Sequence, residues 1–153
     1  MFRLTIETVN HKDQAYETLG DYGIKPDGTL WIKVSELGDW RYEFLVGLHE
    51  AIEFMLLKAR GIFDPGKFTE DFDLKWEETL RFDGIGREYD EPGFDPRSPY
   101  RVEHTLADFV EHAVAVKLGV DIDEYYKAQE ALYHSDDEDK VVMIEEFKEA
   151  DED

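Results

Sequence analysis

The segment GLHEAIEF, residues 47–54, places His49, Glu50 and Glu53 within a largely apolar run. In an α-helix, residues i and i+4 lie one turn apart on the same face, so His49 and Glu53 can reach one metal ion together. An imidazole nitrogen and a carboxylate oxygen bind Zn²⁺ at similar distances, and the carboxylate also suits harder ions such as Mn²⁺ or Fe²⁺. The pattern predicts His49 and Glu53 as ligands of a divalent metal, and Glu50 as the catalytic general base that activates water.

A later helical segment offers the remaining metal ligands. Glu103 falls inside the apolar arc of that segment, where a carboxylate requires a metal, an arginine or a proton as its partner. His104 and Glu111 lie together at the edge of the arc. We therefore predict Glu103 and His104 as further metal ligands and Glu111 as a residue that orients one of them. The structural alternative is a buried ion pair of Glu103 with Arg101 or Arg41.

Two helices must position these side chains, and the first is predicted from about Asp39 to Arg60. Asp39 is a suitable N-cap, and Gly61 is a suitable C-terminal stop. His49 and Glu53 are expected at the rim of an apolar stripe that faces the core. The members of this stripe are Leu45, Leu48, Ile52, Met55, Leu56 and Ala59.

The second helix is predicted to begin at Ser98, with Pro99 in its first position, and to end at Gly119. A further helix follows, capped by Asp121 or Asp123. The apolar arc of the second helix is interpreted as its buried face. It contains Val102, Leu106, Ala107, Phe109, Val110, Ala113, Val114 and Leu118.

The N-terminal part of the chain is predicted to form strands, because apolar and polar residues alternate in FRLTIETV and in TLWIKV. The stretch between them is interpreted as a short helix closed by Gly20. The predicted fold class is therefore α+β, with a short N-terminal strand pair or small antiparallel sheet packed on a mainly helical core. The acidic and aromatic connection 63–97 is predicted to be mostly loop, with one helical piece, and to border the cleft.

The amino-acid composition excludes several classes of ligand and site. The 153 residues carry 38 acidic and 17 basic side chains, a formal net charge of −21. Such a chain repels phosphates, so we expect no direct binding to nucleic acid or to membranes. The charge itself fits solubility, salt adaptation or mimicry of nucleic-acid phosphates. There are no cysteines, which excludes disulfides and thiolate metal sites.

The chain is predicted to form one domain over residues 1–134, followed by an acidic tail at 135–153. Its start does not follow the pattern of a signal peptide, and no apolar run approaches the length of a membrane span. The expectation is a soluble protein of the cytoplasm, or of the host cytoplasm if a phage encodes it. The sequence does not indicate an oligomeric state.

Two linked segments, GDWRYEFLVGLHEAIEFMLLKARGI and DEPGFDPRSPYRVEHTLADFVEHAVAVKLGVD, together with the preceding strand pair, resemble a group of small uncharacterised proteins of tailed phages and prophages. The likeness covers about two thirds of the chain. The order of strands, His-Glu helix and second glutamate-bearing helix is also similar to that of minimal zincin-like metallopeptidases. This resemblance implies His49, Glu53 and Glu103 as ligands and Glu50 as base. The chain departs from that pattern at Glu53, where zincins carry histidine.

Three functions are compatible with these patterns. The first is a zincin-like metal-dependent hydrolase that acts on a peptide or small-molecule substrate. The second is a non-enzymatic acidic phage protein that binds and inhibits a basic or nucleic-acid-binding host protein. The third is a Mg-dependent nucleotide pyrophosphohydrolase, because Glu50 and Glu53 on one helix, with Asp108 and Glu111 on another, match its carboxylate spacing. The hydrolase is favoured by the arrangement of the two helices.

Overall fold

The computed structural model of the protein describes residues 1–133, so His134 and the predicted acidic tail at 135–153 lie outside the described residues. The predicted α+β class is confirmed: a small sheet packs against helices. In chain order the elements are β1 (Leu4–Val9), β2 (Gly20–Ile24), β3 (Leu30–Ser35), α1 (Trp40–Ala59), α2 (Pro65–Glu78), α3 (Arg101–Lys117) and α4 (122–133). Single 3₁₀ turns occur at His11–Asp13, Leu80–Phe82, Gly86–Glu88 and Pro92–Phe94.

The sheet is mixed, with β3 in the centre of the order β1-β3-β2. The prediction of an antiparallel sheet holds for the β2–β3 hairpin, whereas β1 runs parallel to β3. The predicted helix closed by Gly20 is wrong, because Gly20 begins β2. The strand was missed because Gly20–Ile24 is buried at four of its five positions and shows no alternation. Gly23 lies under the Trp31 ring, where a Cβ would come within 2.4 Å of a ring carbon.

Helix α1 has the predicted bounds. Asp39 Oδ1 accepts the Arg41 N–H at 2.9 Å, and Gly61 ends the helix with φ +89 while its N–H donates to the Lys58 carbonyl. The buried face is rotated from the prediction: His49 and Glu53 are buried rather than at the rim. The buried residues of α1 are Leu45, Val46, Gly47, His49, Glu53, Phe54 and Leu57.

Helix α2 corresponds to the one helical piece predicted within the connection 63–97, and the rest of that connection contains only single 3₁₀ turns. Asp64 caps it by accepting the Lys67 N–H at 3.1 Å, and Pro65 fits the first turn because proline has no N–H to leave unsatisfied.

Helix α3 begins at Arg101, later than predicted. Ser98 Oγ accepts the Tyr100 N–H at 3.3 Å in a turn that precedes the helix.

Gly119 ends α3 with φ +69, as predicted. Of the two caps considered for the next helix, Asp121 accepts the Glu124 N–H at 3.1 Å.

The buried face of α3 is not the predicted apolar arc. Its buried residues are Glu103, His104, Ala107, Glu111 and Ala115, whereas Val102, Leu106 and Phe109 are exposed. Helix α3 packs mainly against α1, and the two helices turn their ionisable side chains toward each other. Four apolar residues of α3 therefore face outward, namely Val102, Leu106, Phe109 and Val116, and Glu103 lies on the inner face because that face is largely polar.

The hydrophobic core joins the sheet to α1, α3 and α4. Phe54 is fully buried, and its ring centroid lies 4.8 Å from that of Tyr22 in β2. Among residues 1–133, no helix is both long enough and apolar enough to cross a lipid bilayer. The core residues are Tyr22, Leu30, Ile32, Val34, Leu45, Val46, Phe54, Leu57, Tyr100, Ala115, Val120 and Tyr125.

Truncation of Phe54 tests this core. Phe54→Ala is expected to lower the free energy of unfolding by about 3–5 kcal/mol, because it removes a buried ring and leaves a cavity. Urea denaturation followed by circular dichroism measures the change. Phe63→Ala is the matched control, since Phe63 is 96% exposed and its loss should change stability by less than about 0.5 kcal/mol. Equal effects of the two variants would contradict the assigned packing.

Candidate metal centre

Three predicted site residues meet between α1 and α3. His104 Nδ1 lies 2.9 Å from Glu53 Oε2 and 3.1 Å from His49 Nε2, and His49 Nε2 lies 3.5 Å from Glu53 Oε2. All three side chains are buried. Donor atoms bound to one tetrahedral Zn²⁺ at about 2.0–2.2 Å lie about 3.4 Å apart, so small shifts would place these atoms around one ion. The predicted i, i+4 pair and His104 therefore form one possible ligand set.

The outer nitrogen of each histidine faces a carboxylate. His104 Nε2 lies 3.0 Å from Glu91 Oε2. His49 Nδ1 lies 3.4 Å from Glu111 Oε1, which is an ion-pair contact rather than a completed hydrogen bond. Carboxylates in this position fix the tautomer and ring orientation of metal-binding histidines and increase their basicity. Glu111 thus lies where a residue that orients a ligand is expected.

Glu53 is also held from the side opposite the histidines. The Tyr22 hydroxyl donates to Glu53 Oε1 at 2.7 Å, which leaves Oε2 directed toward His49 and His104. Tyr22 belongs to β2, so this hydrogen bond connects the sheet to the cluster. One carboxylate oxygen is therefore a fixed acceptor, and the other is available to an ion.

Opposite charges compensate one another in this buried cluster. Burial alone lowers the pKa of His104, but the hydrogen bonds to Glu53 and Glu91 outweigh burial and raise that pKa to about 10. Burial alone raises the pKa of Glu53, but the hydrogen bonds from His104 and His49 hold it at about 2. A metal ion entering the cluster must displace protons from the histidines, so its binding is expected to release protons.

Glu50 lies beside the cluster, on the same helix. Its side chain is partly exposed and packs on Gly20, where a Cβ would lie only 2.4 Å from Glu50 Cγ. Burial, and then the nearby charge of Glu53, raises the pKa of Glu50 well above its usual range. A carboxyl group with a raised pKa next to a reactive centre is suited to general acid–base chemistry.

The structure does not bring Glu103 into this ligand set. Glu103 Oε1 pairs with Arg60 Nη1 at 3.0 Å, so the arginine alternative to metal binding holds, although the partner is neither Arg41 nor Arg101. Its Oε2 is buried without a hydrogen-bond partner among residues 1–133. Its neighbour His104 is the residue that contacts His49 and Glu53, so a role of Glu103 as a ligand stays a prediction.

A second group of possible ligands shares His49 and contains Asp108 and Glu111 from α3. The four carboxylates of the pyrophosphohydrolase pattern do not form one group within the described chain. Glu53 joins the histidine pair, Asp108 and Glu111 lie on the other side of His49, and Glu50 belongs to neither set.

Glu91 approaches His104 from the acidic connection, and no specific sequence pattern predicted this contact. The segment Glu91–Phe94 is held against His104: the Phe94 ring meets the imidazole edge-on at 4.5 Å, and a Cβ on Gly93 would come within 2.4 Å of its Cγ. The only available hints were the expectation that this connection borders the cleft and the turn sequence EPGF.

A half-buried carboxylate of α2, Asp73, is linked to the cluster through Tyr100. Asp73 accepts hydrogen bonds from the hydroxyls of Tyr16, at 3.1 Å, and of Tyr100. The Tyr100 ring meets His104 at 6.0 Å between centroids. Burial raises the pKa of Asp73 to about 7, although both tyrosine hydrogen bonds lower it.

Comparisons of the chain with known protein families, with curated proteins and with solved structures gave no match. The resemblances to phage proteins and to zincin-like metallopeptidases therefore stay predictions.

Asp73 should make stability depend on pH. Its pKa is higher in the folded chain than in the unfolded chain, so its contribution to stability is full below about pH 4 and is lost as pH rises through about 7. The free energy of unfolding of Asp73→Asn, measured with urea, should therefore rise relative to that of the natural chain between pH 4 and pH 8. The expected rise is on the order of a few kcal/mol.

The control for this experiment is Glu78→Gln, at the exposed end of the same helix. Its stability difference from the natural chain should change little over the same pH range. A constant difference for Asp73→Asn as well would show that Asp73 does not titrate in a buried site.

Proposed function

We propose that the protein is a metal-dependent hydrolase in which His49, Glu53 and His104 bind a divalent ion. One observation carries the proposal: the inner nitrogens of both histidines converge with Glu53 Oε2, while their outer nitrogens face Glu91 and Glu111. A purely structural ion pair needs one carboxylate for each imidazolium. Here two histidines are enclosed by three carboxylates, those of Glu53, Glu91 and Glu111. This arrangement is expected where carboxylates orient histidines as metal ligands.

The chemistry follows from the ligand types. Two histidines and one glutamate form a known catalytic zinc set, which leaves a coordination position open for water, and a bound divalent ion would lower the pKa of that water and polarise a carbonyl. Glu50 follows His49 directly and is partly exposed. It is suited to accept a proton from the attacking water and return it to the leaving group.

A depression of about 510 Å³ borders Tyr22, the residue that holds Glu53. Its charged lining consists of Asp21, Asp64, Glu70 and Asp71 with a single lysine, Lys67. The proposed ligands and Glu50 do not line this depression, but its excess of carboxylates would disfavour a polyanionic substrate bound beside Tyr22, such as the substrate of a nucleotide pyrophosphohydrolase. This excess supports a peptide or a small neutral or cationic molecule as substrate.

The second candidate is the acidic inhibitor of a basic host protein, which rests on the net charge of −21. That function needs no metal and gives no role to Glu50. Its binding would weaken steeply with salt concentration, because it depends on surface charge.

Metal affinity tests the ligand set. The purified chain is expected to take up one Zn²⁺ or Mn²⁺ and to melt at a higher temperature when loaded, because binding stabilises only the folded state. Glu91→Gln should weaken that affinity about 10–100-fold, since the amide holds His104 less strongly. Competition with a chelating dye measures the metal affinity of the natural chain and of the variant.

Glu88→Gln is the matched control, because Glu88 lies in the same segment but is exposed. Its affinity should equal that of the natural chain. Absence of stoichiometric metal, together with a melting temperature that chelation leaves unchanged, would remove the hydrolase proposal and leave the acidic inhibitor.

Glu50→Gln separates catalysis from metal binding. The variant should bind metal like the natural chain but hydrolyse peptide or amide substrates about 10²–10⁴-fold more slowly, because it cannot accept the proton of water. Turnover of a fluorogenic peptide library by the metal-loaded protein provides the measurement. Full activity of the variant would exclude Glu50 as the base.

A further inference from the structure

The outer face of α3 carries an apolar stripe that no described element covers. Val102 is 77% exposed, Leu106 46%, Phe109 71% and Val116 73%. Together with the exposed Ala113 these residues follow alternating spacings of four and three, the pattern of a seam between two packed helices. We call these five residues the α3 stripe. Contiguous exposed apolar surface of this kind marks an interaction site.

The surroundings of the α3 stripe indicate the charge of its occupant. Arg101 and Lys117 are exposed at its two ends, and Arg60 joins the first end by donating to the Pro99 carbonyl at 3.0 Å. Arg101 and Lys117, with Arg60 that also pairs with Glu103, thus flank the stripe in a chain with only 17 basic against 38 acidic residues. The matching partner is an acidic segment with an apolar face.

A second copy of the chain fits this surface poorly. Antiparallel pairing of two α3 stripes would bring Arg101 of one chain near Lys117 of the other. Each chain also carries a net charge of −21, so association must overcome repulsion between the two chains.

The segment 141–147, VVMIEEF, has the required composition. It contains five apolar residues and two glutamates, and it lies within residues 134–153, which carry ten acidic residues against two lysines. We propose that the segment 141–147 docks on the α3 stripe of its own chain. The proposal is independent of metal binding.

The segment can reach the stripe. In α4 the Tyr126 hydroxyl contacts His112 Nε2 on α3, so the last helix starts beside the stripe-bearing helix. From Tyr126 to Tyr133 the helix advances about 10 Å. The next seven residues, 134–140, can span up to about 24 Å when extended, which is enough to return to α3. The covalent connection gives an effective concentration in the millimolar range, so a weak contact suffices for docking.

A single spin label tests the proposal. The chain has no cysteines, so Ala150→Cys in the full chain accepts one nitroxide label at a unique position. Methyl NMR spectra are compared before and after reduction of the nitroxide. The methyl signals of Val102, Leu106 and Val116 should lose most of their intensity while the label is paramagnetic, and those of Val34 in β3 should keep theirs.

Matched tail variants show whether the segment itself causes the effect. In the labelled chain, Ile144→Glu should restore the α3 signals, because it places a charge in the apolar contact, and Ile144→Leu should leave them broadened. Full intensity at Val102, Leu106 and Val116 in the labelled parent would overturn the proposal and leave the stripe to another protein.

A mixed sample distinguishes the two sources of the segment. Spin-labelled chains without isotope are mixed with isotope-labelled chains that carry no spin label. Broadening of the α3 signals in this mixture would also overturn the proposal, because the segment would then come from a second copy. Unchanged signals in the mixture, together with broadening in the singly labelled sample, support docking within one chain.

Discussion

The contact between α1 and α3 buries ionisable groups, and the rest of the structure depends on giving each of them a partner. His49, Glu53 and His104 lose their contact with water when the helices pack, and such burial is unfavourable unless charges and hydrogen bonds compensate it. The partners come from several parts of the chain. β2 provides Tyr22, the connection after α2 provides Glu91, and α3 itself provides Glu111. A core of this kind is more specific than an apolar one, because a shifted helix would leave charges unpaired.

Features set by residues close in sequence could be predicted. The bounds of α1 follow from Asp39 and Gly61, and its one-turn spacing brings His49 and Glu53 together. The C-terminal stop of α3 and the cap of α4 are equally local. In each case one or two neighbouring side chains decide the backbone conformation, so the sequence contains the whole cause.

Features that depend on distant partners could not be predicted. The apolar arc of α3 was assigned to the core, but α1 presents hydrogen-bonding groups there, and α3 therefore buries Glu103, His104 and Glu111. Whether Glu103 or His104 contacts His49 and Glu53 depends on the rotation of α3, which no local pattern fixes. β2 was missed for a related reason: Gly20 and Gly23 make room for the side chains of Glu50 and Trp31, which come from other elements. A prediction from apolar periodicity assumes that the buried face of a helix is apolar, and the buried face of α3 is largely polar.

The hydrogen bond from Tyr22 to Glu53 and the contact of Glu111 with His49 span most of the described chain. No stretch shorter than 22–111 contains His49, Glu53 and His104 together with Tyr22, Glu91 and Glu111, which contact them. In a chain emerging from the ribosome, the cluster would stay incomplete until residue 111 had joined the others. The cluster can therefore form only after β2, α1, the connection after α2 and α3 have come together.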